Sequence, residues 1–249
     1  MMNDADLKID LETAALFFDI DGTLLDLAPT PDLVEIPAGM HGLLEQLFAA
    51  TGGATAFLTG RSIAAVDKLF APLRLPAVGG HGAEFRLAPD MQVERAAPLP
   101  ENLRHGLKDL ERIAPGIIVE DKVSTLSVHY RLAPEAGPIL KRALDEQRPR
   151  LKASGLQLLL GKEIIEIKPR LFNKGTGLLR MLHAGAFRGR TPVFFGDDTT
   201  DEDAFRVLPE LGGIGISIGR SIEGAQYMFE TPTQLRAFLQ GFARVNGSG

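Results

Sequence analysis

The chain has no cysteine, so disulfides, thiolate nucleophiles and zinc–sulfur centres are excluded. A reducing cytoplasm suits that composition and is the expected compartment. No apolar run approaches the roughly 20 residues that span a bilayer, so a soluble protein is expected. Positive charge is also short, with 27 Lys and Arg against 32 Asp and Glu, a net charge of −5 and a pI near 5.6. Bulk electrostatics therefore offer no hold on nucleic acid or an anionic membrane, and neither is expected as a partner. An anionic ligand has to be held by a local cluster of donors. The first eighteen residues carry Asp4, Asp6, Asp10 and Glu12 with one lysine, unlike the basic start of a secretory signal. The five histidines, at 41, 81, 105, 129 and 183, have no zinc-like spacing. The closing Asn246-Gly247-Ser248-Gly249 reads as a frayed end.

What is present is ordinary globular material. At 249 residues and 45% hydrophobic, the chain can build one large domain, or a core with a smaller insertion. Ala14 to Phe18 is a short apolar run stopping at Asp19-Ile20-Asp21-Gly22, which reads as a buried strand ending in a turn. Pro37 suits a helix first turn, and Met40, Leu43, Leu44, Leu47 and Phe48 follow with helical period. A second buried strand runs from Ala54 to Leu58, and Ser62 can cap a helix carrying Ile63, Val66, Leu69 and Phe70. A third strand begins at Pro76. That β-α-β-α-β order predicts a doubly wound, Rossmann-like parallel sheet covered by helices.

The middle of the chain changes character. Helices are expected at 103–113 and 135–152, and strands at 116–120, 156–160 and 164–167. From Ser124 to Leu132 the pattern alternates, with Leu126, Val128 and Tyr130 opposite Thr125, Ser127, His129 and Arg131. One buried and one wet face predicts an antiparallel sheet. Residues 92–167 therefore read as an inserted α+β domain, with 1–91 and 168–249 forming the α/β core. The core pattern resumes with a helix at 174–182, strands at 192–195 and 214–218, and a closing helix at 231–242.

Two acidic motifs carry the chemistry. Asp19-Ile20-Asp21-Gly22-Thr23 sets two carboxylates two residues apart, just past the carboxyl end of a buried strand, where open α/β sheets bind ligands. Alternate residues of an extended segment point the same way, so one carboxylate can attack a phosphorus while the other serves the leaving oxygen. The plainer reading is an acidic Asp-Gly turn. Gly196-Asp197-Asp198-Thr199-Thr200-Asp201-Glu202-Asp203 also follows a buried strand and offers the hard oxygens that suit magnesium. Its plainer reading is helix capping, since Thr199 and Glu202 have capping-box spacing. Beside Asp19 and Asp21 the metal reading gains, because that much negative charge needs a cation before it can accept a phosphate. Thr59-Gly60-Arg61 and Lys174 are weaker signals: a strand-end threonine can hold phosphoryl oxygens, and a lysine can neutralise charge.

In that order along the chain, Asp19-Ile20-Asp21-Gly22-Thr23, Thr59-Gly60-Arg61, Lys174 and Gly196-Asp197-Asp198 resemble the haloacid dehalogenase superfamily. Further stretches narrow the resemblance to trehalose-6-phosphate phosphatases: Phe57 to Ser62, Val78-Gly79-Gly80-His81-Gly82-Ala83-Glu84, His129-Tyr130-Arg131 and Glu166-Ile167-Lys168-Pro169. It spans about Ala14 to Phe242. The resemblance implies a sugar-phosphate substrate, with Asp19 as nucleophile and Asp21 as general acid and then base. It implies Mg2+ held by Asp19, the Asp21 carbonyl and Asp197, with Asp198 and Asp201 supporting that site. Thr59 and Lys174 hold the phosphoryl oxygens in that scheme, with Gly22, Gly60, Arg61 and His81 also at the substrate. The insertion becomes a cap, whose Glu120, Lys122, His129 and Glu166 match sugar-binding positions. A monomer is expected.

Two other classes fit poorly. A phosphoaspartate receiver domain is about half this size, and a second carboxylate at Asp21 shortens the life of a signalling acyl phosphate. An EF-hand loop starting at Asp19 lacks its glycine and glutamate, having Leu24 and Thr30 instead. Another sugar-phosphate phosphatase or a phosphosugar mutase shares the core chemistry and stays open at this level.

Overall fold

The computed structural model describes residues 7–28, 33–161 and 163–246. Asp4, Asp6, Thr30 and the terminal Gly247-Ser248-Gly249 lie outside the described residues. The chain gathers into two compact units, one of residues 1–94 and 173–249, the other of residues 95–172.

The first unit is built outward from β1 (Ala14–Phe18), all five residues of which are buried. A strand covered on both faces reads as a continuous apolar run, as this one does. Beside it lie β10 (Thr191–Gly196) and β2 (Thr55–Leu58), both parallel to it, with Leu16 registered against Val193 and Thr55. Successive side chains then feed opposite layers. Leu16, Phe18, Phe57, Val193 and Phe195 join one apolar cluster, with Leu43, Leu44 and Leu47 of α1 (Met40–Ala50), Val66 of α2 (Ile63–Leu69) and Leu235 of α7 (Pro232–Asn246). Ala15, Phe17, Leu58 and Phe194 join the other, with Leu178 and Met181 of α5 (Lys174–Leu182) and Phe205 of α6 (Glu202–Val207). This period-two division is what makes the sheet doubly wound. Truncating any of these buried phenylalanines to alanine costs about 3–5 kcal/mol.

Beyond β2 and β10 the sheet extends through β3 (Ala77–Gly79) on one side and through β11 (Ile214–Ile218) and β12 (Tyr227–Phe229) on the other. Past β3 comes β4 (Glu84–Arg86), antiparallel to it, and then the two-residue β5 (Glu94–Arg95). Strands this short carry no readable period, which is why β4, β5 and β12 are absent from the sequence expectation. Arg86 in β4 is fully buried, and its guanidinium donates to both carboxylate oxygens of Asp67 (2.6 and 2.7 Å) and to the Leu75 carbonyl. A buried charge is tolerable only with partners of this quality. Pro37 falls outside its helix: α1 begins at Met40, after Gly39 in a left-handed conformation (φ 82°). Asn246, expected to fray, is the last residue of α7.

The second unit is a four-stranded antiparallel sheet, in the order β6 (Ile118–Asp121), β7 (Leu126–His129), β9 (Ile164–Pro169), β8 (Leu156–Leu160). Its core joins Leu126, Val128, Ile165 and Ile167 to Leu103 and Leu107 of α3 (Glu101–Lys108) and Leu140 and Leu144 of α4 (Gly137–Ala153). The helix expected to reach residue 113 stops at Lys108 and tightens into a 3₁₀ turn, Asp109–Arg112. The opposite face is less wet than alternation implies. Ser127 is buried, because it lies registered between Glu120 on β6 and Glu166 on β9. No helix among the described residues is long and apolar enough to cross a membrane.

Candidate active site

Adjacent parallel strands end at the same edge of a sheet, and both acidic motifs follow such ends. Asp19 leaves β1 and donates its backbone N–H to the Phe195 carbonyl of β10 (2.9 Å), so Asp197 arrives next to it. Lys174 opens α5, whose start is set by Asn173: its side chain accepts the Thr176 N–H (2.8 Å) while the Thr176 hydroxyl accepts the Asn173 N–H (3.1 Å). The cap aims the buried Lys174 Nζ between Asp19 Oδ1 (2.8 Å) and Asp201 Oδ1 (2.5 Å). Asp201 uses its other oxygen to accept the N–H groups of Asp197 (2.9 Å) and Asp198 (3.0 Å). The capping box thus runs from Asp198 to Asp201, one residue earlier than the Thr199–Glu202 spacing suggested. Gly22 has φ +82°, and a Cβ there would lie 2.1 Å from Asp197 Oδ2, so only glycine lets the two motifs meet.

Asp19, Asp197 and Asp201 each present a carboxylate oxygen within 4.8 Å of the others. The Lys174 ammonium pairs with two of these three carboxylates, those of Asp19 and Asp201. Burial pushes Asp19 well above the usual carboxylate range, and repulsion from Asp201 and Asp197 adds to this against the pull of Lys174. Asp197 is pushed up to about 6, by burial first and Asp201 second, with Lys174 and the Thr23 hydroxyl (3.2 Å) opposing. Burial works against the Lys174 charge, but Asp19 and Asp201 outweigh it and hold the ammonium more firmly than in water. Carboxylates that crowd until they favour protons favour a hard cation still more. The donor set therefore fits a divalent ion such as magnesium.

Of the other core residues singled out from the sequence, Asp21 and Asp198 are chain neighbours of this cluster, and Arg61 ties the turn after β2 to it through Asp21. Asp21 is held by Arg61, whose Nε and Nη2 donate to Oδ2 and Oδ1 at 2.7 Å each. Thr59 is buried at the end of β2 and accepts the Arg61 N–H on its hydroxyl (3.2 Å). His81 takes a left-handed backbone (φ 52°) and lays its ring against Gly60, where a Cβ would come within 2.5 Å of ring atoms. The Asp198 carboxylate turns to its own loop, accepting the Thr199 N–H and hydroxyl at 2.6 and 3.1 Å.

The family profile described as Trehalose-phosphatase matches residues 17–230, most of the chain and both acidic motifs. This chain belongs to the trehalose-phosphatase family. It is similar to a "probable trehalose-phosphate phosphatase" of Sinorhizobium fredii, at 38% identity over 96% of this chain and 91% of that protein. It is 37% identical to the trehalose-6-phosphate phosphatase of Escherichia coli, over 86% of this chain and 80% of that one. The C-terminal domain of Candida albicans trehalose-6-phosphate phosphatase shares the fold, with a TM-score of 0.79 at 20% identity, covering 93% and 92% of the two chains.

Other polar residues of this trehalose-phosphatase family member lie in the second unit. His129 Nε2 is 3.1 Å from Glu120 Oε2, and Lys122 Nζ is 3.4 Å from the same oxygen. The His129 hydrogen bond and the Lys122 charge hold Glu120 below the usual carboxylate range, despite its partial burial. Ser127 donates to Glu166 (3.3 Å), so Glu120, Ser127 and Glu166 form a polar row across three strands.

Sequence reasoning missed three contributors. Thr23 lies within the quoted motif, but its hydroxyl bond to Asp197 spans 174 residues. Asn173 could have been found from its place before Lys174, since asparagine is a favoured N-cap. Arg220 gave no local signal, yet its Nε donates to the Asp197 carbonyl (3.0 Å).

Proposed function

We propose that this chain hydrolyses trehalose 6-phosphate to trehalose and inorganic phosphate through an aspartyl-phosphate on Asp19. The observation that carries this reading is the buried Lys174 bridging Asp19 and Asp201, with Asp197 beside them. In the first step an Asp19 oxygen bonds to phosphorus as the bond to the sugar oxygen breaks, and Asp21 gives that oxygen its proton. In the second, water attacks phosphorus and hands its proton to Asp21, and the aspartyl–phosphorus bond breaks. Lys174 orients the attacking carboxylate and, with Thr59 and the neighbouring backbone of Gly22 and Gly60, receives the phosphoryl oxygens. Asp19, the Asp21 carbonyl and Asp197 would hold magnesium, whose charge would offset that of the phosphate and the crowded carboxylates. Asp201, with both oxygens engaged, and Asp198, turned to its own loop, keep the Asp197 turn in place.

The core, proposed as 1–91 with 168–249, handles groups common to every phosphate monoester. Discrimination has to come from groups that touch the sugar, and we assign that task to a cap of residues 92–167. His81 is placed with the substrate. The enzyme is proposed to act as a cytoplasmic monomer. Phosphate release from a panel of sugar phosphates tests the assignment directly. Preference for a different sugar phosphate, or transfer of the phosphoryl group to a second position of the sugar, would overturn it.

Excess chelator should stop turnover until magnesium is restored, and Asp197→Ala should lower activity severely at saturating magnesium. Calcium should restore little, because its larger, irregular shell suits an in-line carboxylate less well. Full activity in chelator would remove the metal from the scheme. For the cap, His129→Ala or Glu166→Ala should cost roughly 1–3 kcal/mol in kcat/KM with trehalose 6-phosphate. The same variants should change little with 4-nitrophenyl phosphate, which has no sugar hydroxyls. Equal losses on both substrates would place these residues in the fold instead.

A further inference from the structure

Arg61 resembles a substrate-binding position in sequence, yet its guanidinium is committed to a protein carboxylate. Nε and Nη2 meet the two oxygens of Asp21 at 2.7 Å each, the paired geometry of an arginine–carboxylate fork. The Arg61 side chain is only 13% exposed, so this is no loose surface pair. Both partners have fixed backbones. The Arg61 N–H donates to the Thr59 hydroxyl (3.2 Å) and its carbonyl accepts the Gly80 N–H (2.8 Å). Gly79 packs so tightly that a Cβ there would lie 2.8 Å from the Arg61 oxygen. Asp21 stands in a turn closed by a bridge to Leu25 and by the Gly22 N–H on the Leu25 carbonyl (2.8 Å). What remains free in Asp21 is its two side-chain torsions, of which the rotation of the carboxyl group is intrinsically broad. The fork removes that freedom. It uses one lone-pair direction on each oxygen, and a carboxylate has about four, so each oxygen keeps one for the proton it has to move.

We propose that Arg61 is a positioning residue that holds the Asp21 carboxyl in the orientation from which its proton reaches the leaving oxygen. This rests on the phosphatase reading above. Arg61 neither gains nor loses a proton: Asp21 gives one to the sugar oxygen as the phosphorus–oxygen bond breaks, and regains it from water in the second step. A misplacement of a catalytic group by an ångström can cost about 10²-fold.

The test compares kcat/KM, which reports only the steps through leaving-group departure, for Arg61→Gln and Arg61→Lys on two esters. Trehalose 6-phosphate expels an alkoxide that needs the proton; 4-nitrophenyl phosphate expels a phenolate that leaves without one. With trehalose 6-phosphate the loss should be on the order of 10²-fold, and with the aryl ester it should be small. Lysine keeps the charge but not the planar fork, so Arg61→Lys should stay impaired. In an Asp21→Asn background the Arg61 substitutions should add no further loss on trehalose 6-phosphate. Equal losses on both esters, as a folding defect would also give, overturn the inference. So do no loss on either, full recovery with lysine, or an additive loss in the Asp21→Asn background. Wild-type protein that releases phosphate from neither ester overturns the phosphatase reading itself, together with this inference.

Discussion

Asp19→Asn is expected to eliminate phosphate release, a loss on the order of 10⁶-fold if it resembles removal of other covalent nucleophiles. The amide cannot form the phosphoryl ester, and the other carboxylate on Lys174, that of Asp201, already has both oxygens engaged. Structure predicts the opposite sign for stability. Asp19 is buried beside Asp197 and Asp201, which makes its charge costly in the metal-free protein. Asparagine keeps an oxygen for the Lys174 ammonium and removes one of three mutually repelling charges. The melting temperature of metal-free Asp19→Asn protein should therefore equal or exceed that of the wild type. Steady-state assays and thermal melts in chelator check both halves. Substantial turnover by folded Asp19→Asn protein would falsify the mechanism, and a lower melting temperature would contradict the account of the carboxylate cluster.

The second large effect is on the lysine. Lys174→Ala strands Asp19 and Asp201 in the interior without their counter-charge. Breaking a buried ion pair from one side typically costs about 3–5 kcal/mol. In a chain of this size that is a fall in melting temperature of roughly 6–20 °C. Lys174→Met, which keeps most of the volume, should lose nearly as much, because the charge and not the cavity is the cause. Adding Asp19→Asn to Lys174→Met should recover part of the loss, with a coupling of roughly 0.5–3 kcal/mol. Activity should be lost in every one of these variants. A shift below about 2 °C in both single variants would mean that the lysine is not what neutralises the buried carboxylates.

How much of this was legible beforehand depends on how local each cause is. β1 and β10 were visible as apolar runs because strands buried on both faces have few polar positions to blur them, and β11 was visible through Ile214, Ile216 and Ile218 despite the buried Ser217. α5 occupies the span expected for it, Lys174–Leu182. Pro37 misplaced the start of α1, since a glycine with positive φ at residue 39 turns the chain after it. β4 and β12, three residues each, were invisible, and the full burial of Arg86 was unreadable because Asp67 lies on another element. The capping box moved from Thr199–Glu202 to Asp198–Asp201 for a similar reason. Lys174 and two backbone N–H groups draw the Asp201 carboxylate beneath the turn, and of those partners the Asp198 N–H lies within the four-residue window that spacing rules inspect, while Lys174 is 27 residues away.

The sequence by itself determined the chemistry: acidic residues placed just past apolar runs, a cysteine-free and slightly acidic chain, and motif order along its length. These are properties of residue type and short separation, so folding cannot alter them. Only the tertiary structure decided which groups act together. The strand order β10-β1-β2 brings the Asp197 loop, Asp19 and the Arg61 turn to one sheet edge. Asp201 meets a lysine 27 residues earlier, and Asp21 meets an arginine 40 residues later. Partnerships of that range depend on which strands lie side by side and on glycines such as Gly22 that let their loops close, and no local pattern encodes either.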